Sequence, residues 1–195
     1  IESQITVQDE TESIISGLNY CITKKPDYLI TTGGLGPTSD DITRDVLFKY
    51  FNTKSSVDLK YLDFLKQKYG TKNLKINDSI KNQALIPNIG EVIPNSIGTA
   101  RGLKFKKNST VIFALPGVPN EMKKMFKKYI LPQIYDANPN PFFSKTLRTC
   151  GISESKLYEF IISQKNCGHN QIGYYPSAYG VDIKITNYNN KDIES

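Results

Sequence analysis

Two adjacent carboxylates behind a run of glycines are the part of this chain best suited to chemistry. In Thr32-Gly-Gly-Leu-Gly-Pro-Thr-Ser-Asp-Asp-Ile-Thr43, the residues Gly33, Gly34 and Gly36 stand just ahead of Asp40 and Asp41, with Thr38 between them. Glycine accepts φ > 0 and lets backbone approach a ligand closely, and Pro37 stiffens the exit of the turn. A helix starting past such a turn aims free N–H groups and the positive end of its dipole at an anion. Acids and hydroxyls at the same mouth suit a phosphate accompanied by a metal ion. Any metal here should be a hard cation held by oxygens. His169 is the single histidine, and Cys21, Cys150 and Cys167 are widely spaced without a C-x-x-C pair. That argues against a zinc knuckle, a disulfide framework and a Ser-His-Asp triad beside the glycines.

The two familiar glycine loops do not fit. No Lys follows these glycines before Lys49, which excludes a P-loop, and Ser39 occupies the third glycine of a G-x-G-x-x-G fingerprint. A purely structural reading competes for single residues. Thr38 to Asp41 matches a capping box, and Asp40 suits the first turn of a helix. Further along, Pro116, Gly117 and Pro119 turn a strand into a helix, with Glu121 in its first turn, and Asp9 precedes another helix as a cap. Taken together, Asp9, Asp41 and Glu121 fall at strand-to-helix mouths on one rim of one sheet.

The elements that must position these residues alternate. Ile5 to Val7 reads as a strand end and Glu10 to Thr23 as a helix with Ile14, Ile15, Leu18 and Ile22 inward. Tyr28 to Thr32 reads as a strand, and Asp40 to Phe51 as a helix with Ile42, Val46, Leu47, Tyr50 and Phe51 on one face. A second amphipathic helix spans Val57 to Tyr69 and closes at Gly70. Short strands at Glu91 to Ile93 and Leu103 to Phe105 flank Gly98-Thr99-Ala100, and Lys107-Asn108 turns a hairpin into Thr110 to Leu115. Pro119 opens a helix through Ile130. This βαβα order predicts a three-layer α/β/α domain with a mostly parallel sheet, which binds ligands beyond the carboxyl ends of its strands. Pro132 to Pro141 reads as a linker. Beyond it, a strand (Ser144 to Thr149), a helix (Ser153 to Gln164, with Leu157, Phe160 and Ile161 inward) and strands at Gln171 to Tyr175 and Val181 to Ile185 form a small α+β unit. The domains are thus 1–135 and 142–195.

The glycine segment resembles the signature of the molybdopterin-binding (MoaB/Mog-like) domain shared by molybdenum-cofactor biosynthesis proteins and the CinA (competence-damage-inducible) family. Three other segments fit the CinA branch: Val7-Gln-Asp-Glu10; Asn82 to Pro87 followed by Ile93 to Gly102; and Ala114 to Met122. The βαββ unit resembles the family's KH-like domain, although it lacks a G-x-x-G loop, which argues against RNA clamping. In the family a Gly-Thr-Glu strand and a helix precede the point where this chain opens, and the KH-like unit continues beyond Ser195. Arg101 stands where the family pattern has Pro. The resemblance implies a pyrophosphatase acting on ADP-ribose or a similar dinucleotide, with a divalent cation (Mg²⁺ or Co²⁺). The N–H groups of Gly34 to Thr38 would hold a phosphate, while Asp40, Asp41 and Glu121 position the metal and catalyse. The ligand-binding set it implies adds Asp9, Thr32, Thr43, Asn95, Gly98, Thr99, Ala100, Pro116, Gly117 and Pro119. The alternative is a molybdopterin-binding protein without hydrolytic activity, and a third reading is a non-enzymatic interaction module. A homodimer or other homo-oligomer in the cytoplasm is the expected setting.

Composition sets wide bounds. The net charge of +6 invites a nucleic-acid partner, but Lys123, Lys124, Lys127 and Lys128 alternate with Met122, Met125, Phe126 and Tyr129. That is the solvated side of an amphipathic helix, and no nucleic-acid partner is expected. No apolar run reaches the roughly 18 residues of a membrane span.

Overall fold

The computed structural model describes residues 1–70, 78–137, 143–163 and 171–187. The chain divides into two compact units, Ile1–Gln133 and Ile134–Ser195. The first carries helix α1 (Thr11–Thr23), strand β1 (Tyr28–Thr32), helix α2 (Thr43–Tyr50), strand β2 (Ser55–Val57), helices α3 (Leu59–Gly70) and α4 (Asp78–Asn82), then strands β3 (Leu85–Pro87), β4 (Glu91–Ile93), β5 (Gly102–Lys107) and β6 (Thr110–Leu115), and helix α5 (Pro119–Met125). A π-helical segment (Phe126–Ile130) joins α5 to α6 (Leu131–Ala137).

The central sheet runs β1-β6-β5-β4. β1 and β6 are parallel, with Tyr28 opposite Val111 and Thr32 opposite Leu115. The β5–β6 and β4–β5 pairs are antiparallel, so the sheet is mixed. Asn108, at φ 56°, turns the β5–β6 hairpin, a left-handed conformation that asparagine tolerates. Side chains alternate across β6. Ile112 and Ala114 join Ile14, Leu18, Val46, Leu47 and Phe48 of α1 and α2 in one core cluster. The intervening Phe113 and Leu115 are also fully buried, as are Met125 and Ile130 of the helix that follows.

Four local expectations are corrected. Ile5 to Val7 is not a strand; both residues lie against Gly17 of α1, which has no side chain to hold them off. α2 begins at Thr43 rather than Asp40, because Thr38 to Ile42 closes into tight turns, with Asp41 N–H donating to Thr38 O and Ile42 N–H to Asp40 O. Val57 belongs to a strand paired with Leu85, not to the next helix. The helix after Pro119 does not stop at Ile130 but passes Pro132 and ends at Ala137. Proline lacks an N–H and crowds the preceding turn, and the wider π turn lies directly ahead of it. Gln133 Nε2 donates to the Tyr129 carbonyl there.

In the second unit, β7 (Phe143–Thr149), α7 (Glu154–Ser163), β8 (Gln171–Ser177) and β9 (Gly180–Asn187) reproduce the βαββ order. The sheet runs β7-β9-β8, antiparallel throughout. Leu157 is buried with Val181 and Ile183, and Ile161 packs beside them. Phe160 is exposed, a further correction: burial follows the stripe through Leu157 and Ile161 only. Residues 138–141 of the expected linker, Gln164, Cys167 and His169 lie outside the described residues. Among the described residues, no helix is long and apolar enough to cross a membrane.

Candidate functional site

A cavity of about 410 Å³ opens at the carboxyl ends of β1 and β6, lined by the Gly33–Pro37 turn, Asp41, Gln83, Thr99, Ala100, the Pro116–Val118 turn and Glu121. It brings together ten of the residues nominated from sequence. Leu35, Gln83 and Val118 line it as well, although the sequence reading left them out. Leu35 and Val118 sit between nominated residues, whereas Gln83 belongs to the Asn82–Pro87 motif segment, from which no site residue was nominated.

The glycine turn is anchored at both ends. Gly33 N–H donates to Leu115 O (3.0 Å), continuing the β1–β6 ladder, and Thr43 N–H donates to Gly34 O (3.0 Å). One free donor of the helix start is therefore satisfied by the turn itself. Gly34 lies at φ 65°, and a Cβ there would run into the Thr43 hydroxyl. The main-chain N–H groups of Gly34, Leu35 and Gly36 have no backbone or side-chain acceptor among the described residues. Adjacent donors of that kind in a turn form an anion-binding concavity.

Each of the two carboxylates in the cavity is pressed against a glycine. Asp41 abuts Gly36, and Glu121 abuts Gly98, so closely that a Cβ at either glycine would displace the acid. Asp41 Oδ2 also accepts from Thr38 N–H (3.0 Å) and the Thr38 hydroxyl (2.5 Å). Half of the expected capping box is therefore made, but on a turn ahead of the helix. Asn95 orients Glu121: its Nδ2 donates to Glu121 Oε2 (2.6 Å) and to Ala100 O (2.9 Å), while its Oδ1 accepts from the N–H groups of Ile97 and Gly98.

Several nominated residues stand outside the cavity lining. Asp40 is exposed, and its carboxyl is held below the ordinary range by the Thr38 side chain and its own backbone N–H. Asp9 lies in the exposed approach to α1, whose N-cap is Glu10 without a side-chain hydrogen bond, so the expected Asp9 cap is not formed. Thr32 ends β1, Pro119 opens α5, and Thr43, Asn95, Gly98 and Thr38 support lining residues from behind. Among the described residues, no three His, Cys, Asp or Glu side chains converge on a metal site. Of the expected Asp40–Asp41–Glu121 metal set, the cavity lining holds Asp41 and Glu121. Asp40 points its charge to solvent, and two carboxylates remain.

The Thr99–Ala100 wall is built quite differently. Its successive carbonyls are each held by a side chain: Thr99 O by the Tyr61 hydroxyl of α3 (2.9 Å), Ala100 O by Asn95 of the same loop, and Arg101 O by Arg44 Nη2 of α2 (3.0 Å). Arg101 stacks its guanidinium on the Tyr61 ring at 3.7 Å, pairs with Asp58 at 2.8 Å, and reaches Gln83 O. The Tyr69 hydroxyl bridges Thr99 Oγ1 (3.0 Å) and Gln83 Oε1 (3.4 Å). Burial, and then the charge of Arg101, push Arg44 down to about 10, so it stays protonated at neutral pH.

The family model described as "Probable molybdopterin binding domain" matches residues 1–136, and that of the "Damage-inducible protein CinA KH domain" matches residues 144–194. A CinA-like protein of Flavobacterium psychrophilum is 36% identical, with 95% of this chain aligned to 45% of that protein. A CinA-like protein of Dictyoglomus turgidum is 35% identical, with 83% of this chain aligned to 40% of it. The crystal structure of CinA from Thermoplasma acidophilum superposes with a TM-score of 0.54 at 30% identity, over 65% of this chain and 75% of that one. The chain thus spans less than half the length of these curated relatives.

Proposed function

The chain belongs to the CinA family, a molybdopterin-binding-type domain followed by a CinA KH domain, and from that premise we propose that its cavity binds a phosphorylated, nucleotide- or pterin-like small molecule and hydrolyses a diphosphate such as that of ADP-ribose. One observation carries this reading: the N–H groups of Gly34, Leu35 and Gly36, unpartnered among the described residues, share a cavity with the carboxylates of Asp41 and Glu121. The N–H groups would hold one phosphoryl group. Asp41 and Glu121 are placed to take the proton of a water that attacks phosphorus as the bridging P–O bond breaks, yielding AMP and ribose 5-phosphate.

The donor set also bears on the cation. Two oxygen-bearing acids fit a hard Mg²⁺ or Co²⁺ ion of the kind held by one or two carboxylates together with substrate phosphates. They do not fit a resident metal held by protein alone. Such a cation would neutralise charge on the phosphoryl oxygens. Asn95 keeps Glu121 turned inward for that purpose, and Thr38 does the same for Asp41. Asp40 is assigned no role.

The test is product analysis with Mg²⁺ or Co²⁺ and ADP-ribose: AMP and ribose 5-phosphate are expected, and their absence at saturating ligand removes the hydrolytic part. The family match over residues 1–136 favours the second reading, in which the cavity holds molybdopterin without cleaving it. Binding of ADP-ribose or molybdopterin with no product would select that reading. Self-association as a homodimer belongs to the same proposal and is read by light scattering.

A further inference from the structure

Two arginines are buried beside the cavity: Arg44 is 3% exposed and Arg101 7%. Burying a charge is costly unless it is paired, yet their carboxylates do not balance. Asp58 bonds Arg101, and the other acid acting on Arg44 is Asp45, which is exposed and screened by water. Among the described residues, Arg44 Nη1 and Arg101 Nε have no hydrogen-bond acceptor, and neither does Nε2 of Gln83, which is 1% exposed and lines the cavity. All three orphaned groups are donors. The position of Arg44 also matters. It follows Thr43, which abuts Gly34 of the glycine turn, and its Nη2 holds the Arg101 carbonyl at the end of the second wall.

From this arrangement we infer that the Arg44–Arg101 pair is the anion-selecting element of the cavity: it leaves one buried positive charge uncompensated beside the Thr99–Ala100 wall, and that charge offsets the repulsion a phosphoryl group meets from Asp41 and Glu121. This rests on the reading of the cavity as a phosphate site and names what makes it one. Arg44 acts as a positioning and field residue and need not touch the ligand. Arg101 holds the wall through Tyr61, whose ring it covers and whose hydroxyl fixes Thr99 O. Asp58 sets the size of the effect, because among the described residues it is the one acid bonded to the pair.

The charge argument predicts opposite signs where a merely structural role predicts one. Calorimetric titration with inorganic pyrophosphate in Mg²⁺ buffer is the probe, with melting curves to confirm folding. Arg44→Gln keeps a donor for Arg101 O but removes the charge, and should weaken pyrophosphate binding about tenfold, as one charge acting through a protein-like dielectric would. Arg44→Lys keeps the charge and should stay within about twofold of wild type by the same reasoning. Asp58→Asn removes the neutralising acid and should bind pyrophosphate more tightly, even as it melts earlier. The inference is overturned if Asp58→Asn binds no more tightly than wild type, or if Arg44→Lys loses as much as Arg44→Gln. Should Arg44→Gln fail to fold, the sign of the Asp58→Asn change decides alone. Wild-type protein that binds no pyrophosphate overturns the phosphate reading of the cavity, and this inference with it.

Discussion

The two walls of the cavity solve the same problem by different means. The Gly33–Pro37 wall is made of backbone, and its shape is set by local conformation: Gly34 at positive φ, with the ends tied to Leu115 and Thr43. The Thr99–Ala100 wall is made of ordinary loop, and its shape is imposed by side chains arriving from α2, α3 and Asn95. A backbone-built wall tolerates almost any change outside its own few residues. A side-chain-built wall can be altered from a distance, because two of its anchors, Arg44 and Tyr61, lie on separate helices.

The largest expected effect comes from the acid next to the first wall. Asp41→Asn keeps an acceptor for Thr38 but removes the charge, so turnover of ADP-ribose should fall a hundredfold or more, in line with lost electrostatic stabilisation elsewhere, with little change in melting. Wild-type turnover in this variant would leave Asp41 a turn residue only. Next, Gly34→Val forces a β-branched residue into positive φ and against Thr43. A stability loss of about 1–3 kcal/mol, together with weakened ligand affinity, is expected in chemical denaturation and calorimetry. Unchanged affinity in folded protein would make that turn structural.

Tyr61→Phe tests the second wall. It keeps the ring under Arg101 and removes the donor to Thr99 O, leaving a half-buried carbonyl short of a partner at a cost of about 1–3 kcal/mol. The KM for ADP-ribose should rise while kcat holds, since the acids are untouched. A fall in kcat with KM unchanged would contradict the division of labour between the walls. The smallest effect is a pH dependence. The Tyr61 backbone N–H, then Arg101, hold the Asp58 carboxyl below its ordinary value of 3.8. A carboxyl lowered on folding contributes stability that is present above its unfolded value and lost as pH falls through the folded one. Wild type should therefore lose melting temperature more steeply than Asp58→Asn below about pH 4. Parallel curves would show that Asp58 is not held by the network.

The contrast between the walls also explains what could be read from residues alone. The turn was legible because its constraints are local: glycine, proline and threonine types at fixed spacing state the conformation they need. The pairing of Thr110 to Leu115 with a hairpin, the βαββ order of the second unit and the inward faces of α1 and α2 were legible for the same reason, since periodicity records burial. The start of α2 was misplaced because Thr38 to Ile42 has good helix-start chemistry, yet its backbone closes two tight turns and gives the first helical donor, Thr43 N–H, to Gly34. Asp40 was grouped with Asp41 because neighbours in sequence look like neighbours in space, whereas the turn sends one to solvent and the other to the cavity.

The sequence by itself therefore determined the α/β architecture, the glycine turn and Asp41 as an acid beside it, because each rests on residue types within a few positions of one another, whereas the fold brings Glu121 to the same cavity. Tertiary structure alone decided that Arg44, Asp58, Tyr61, Tyr69 and Gln83 act on the same wall. Those residues are spread over α2, α3 and the segments beside α3 and α4, and their charges and hydroxyls look ordinary in isolation. Their meaning comes from burial, which turns a surface arginine into an uncompensated charge and a loop carbonyl into a fixed point.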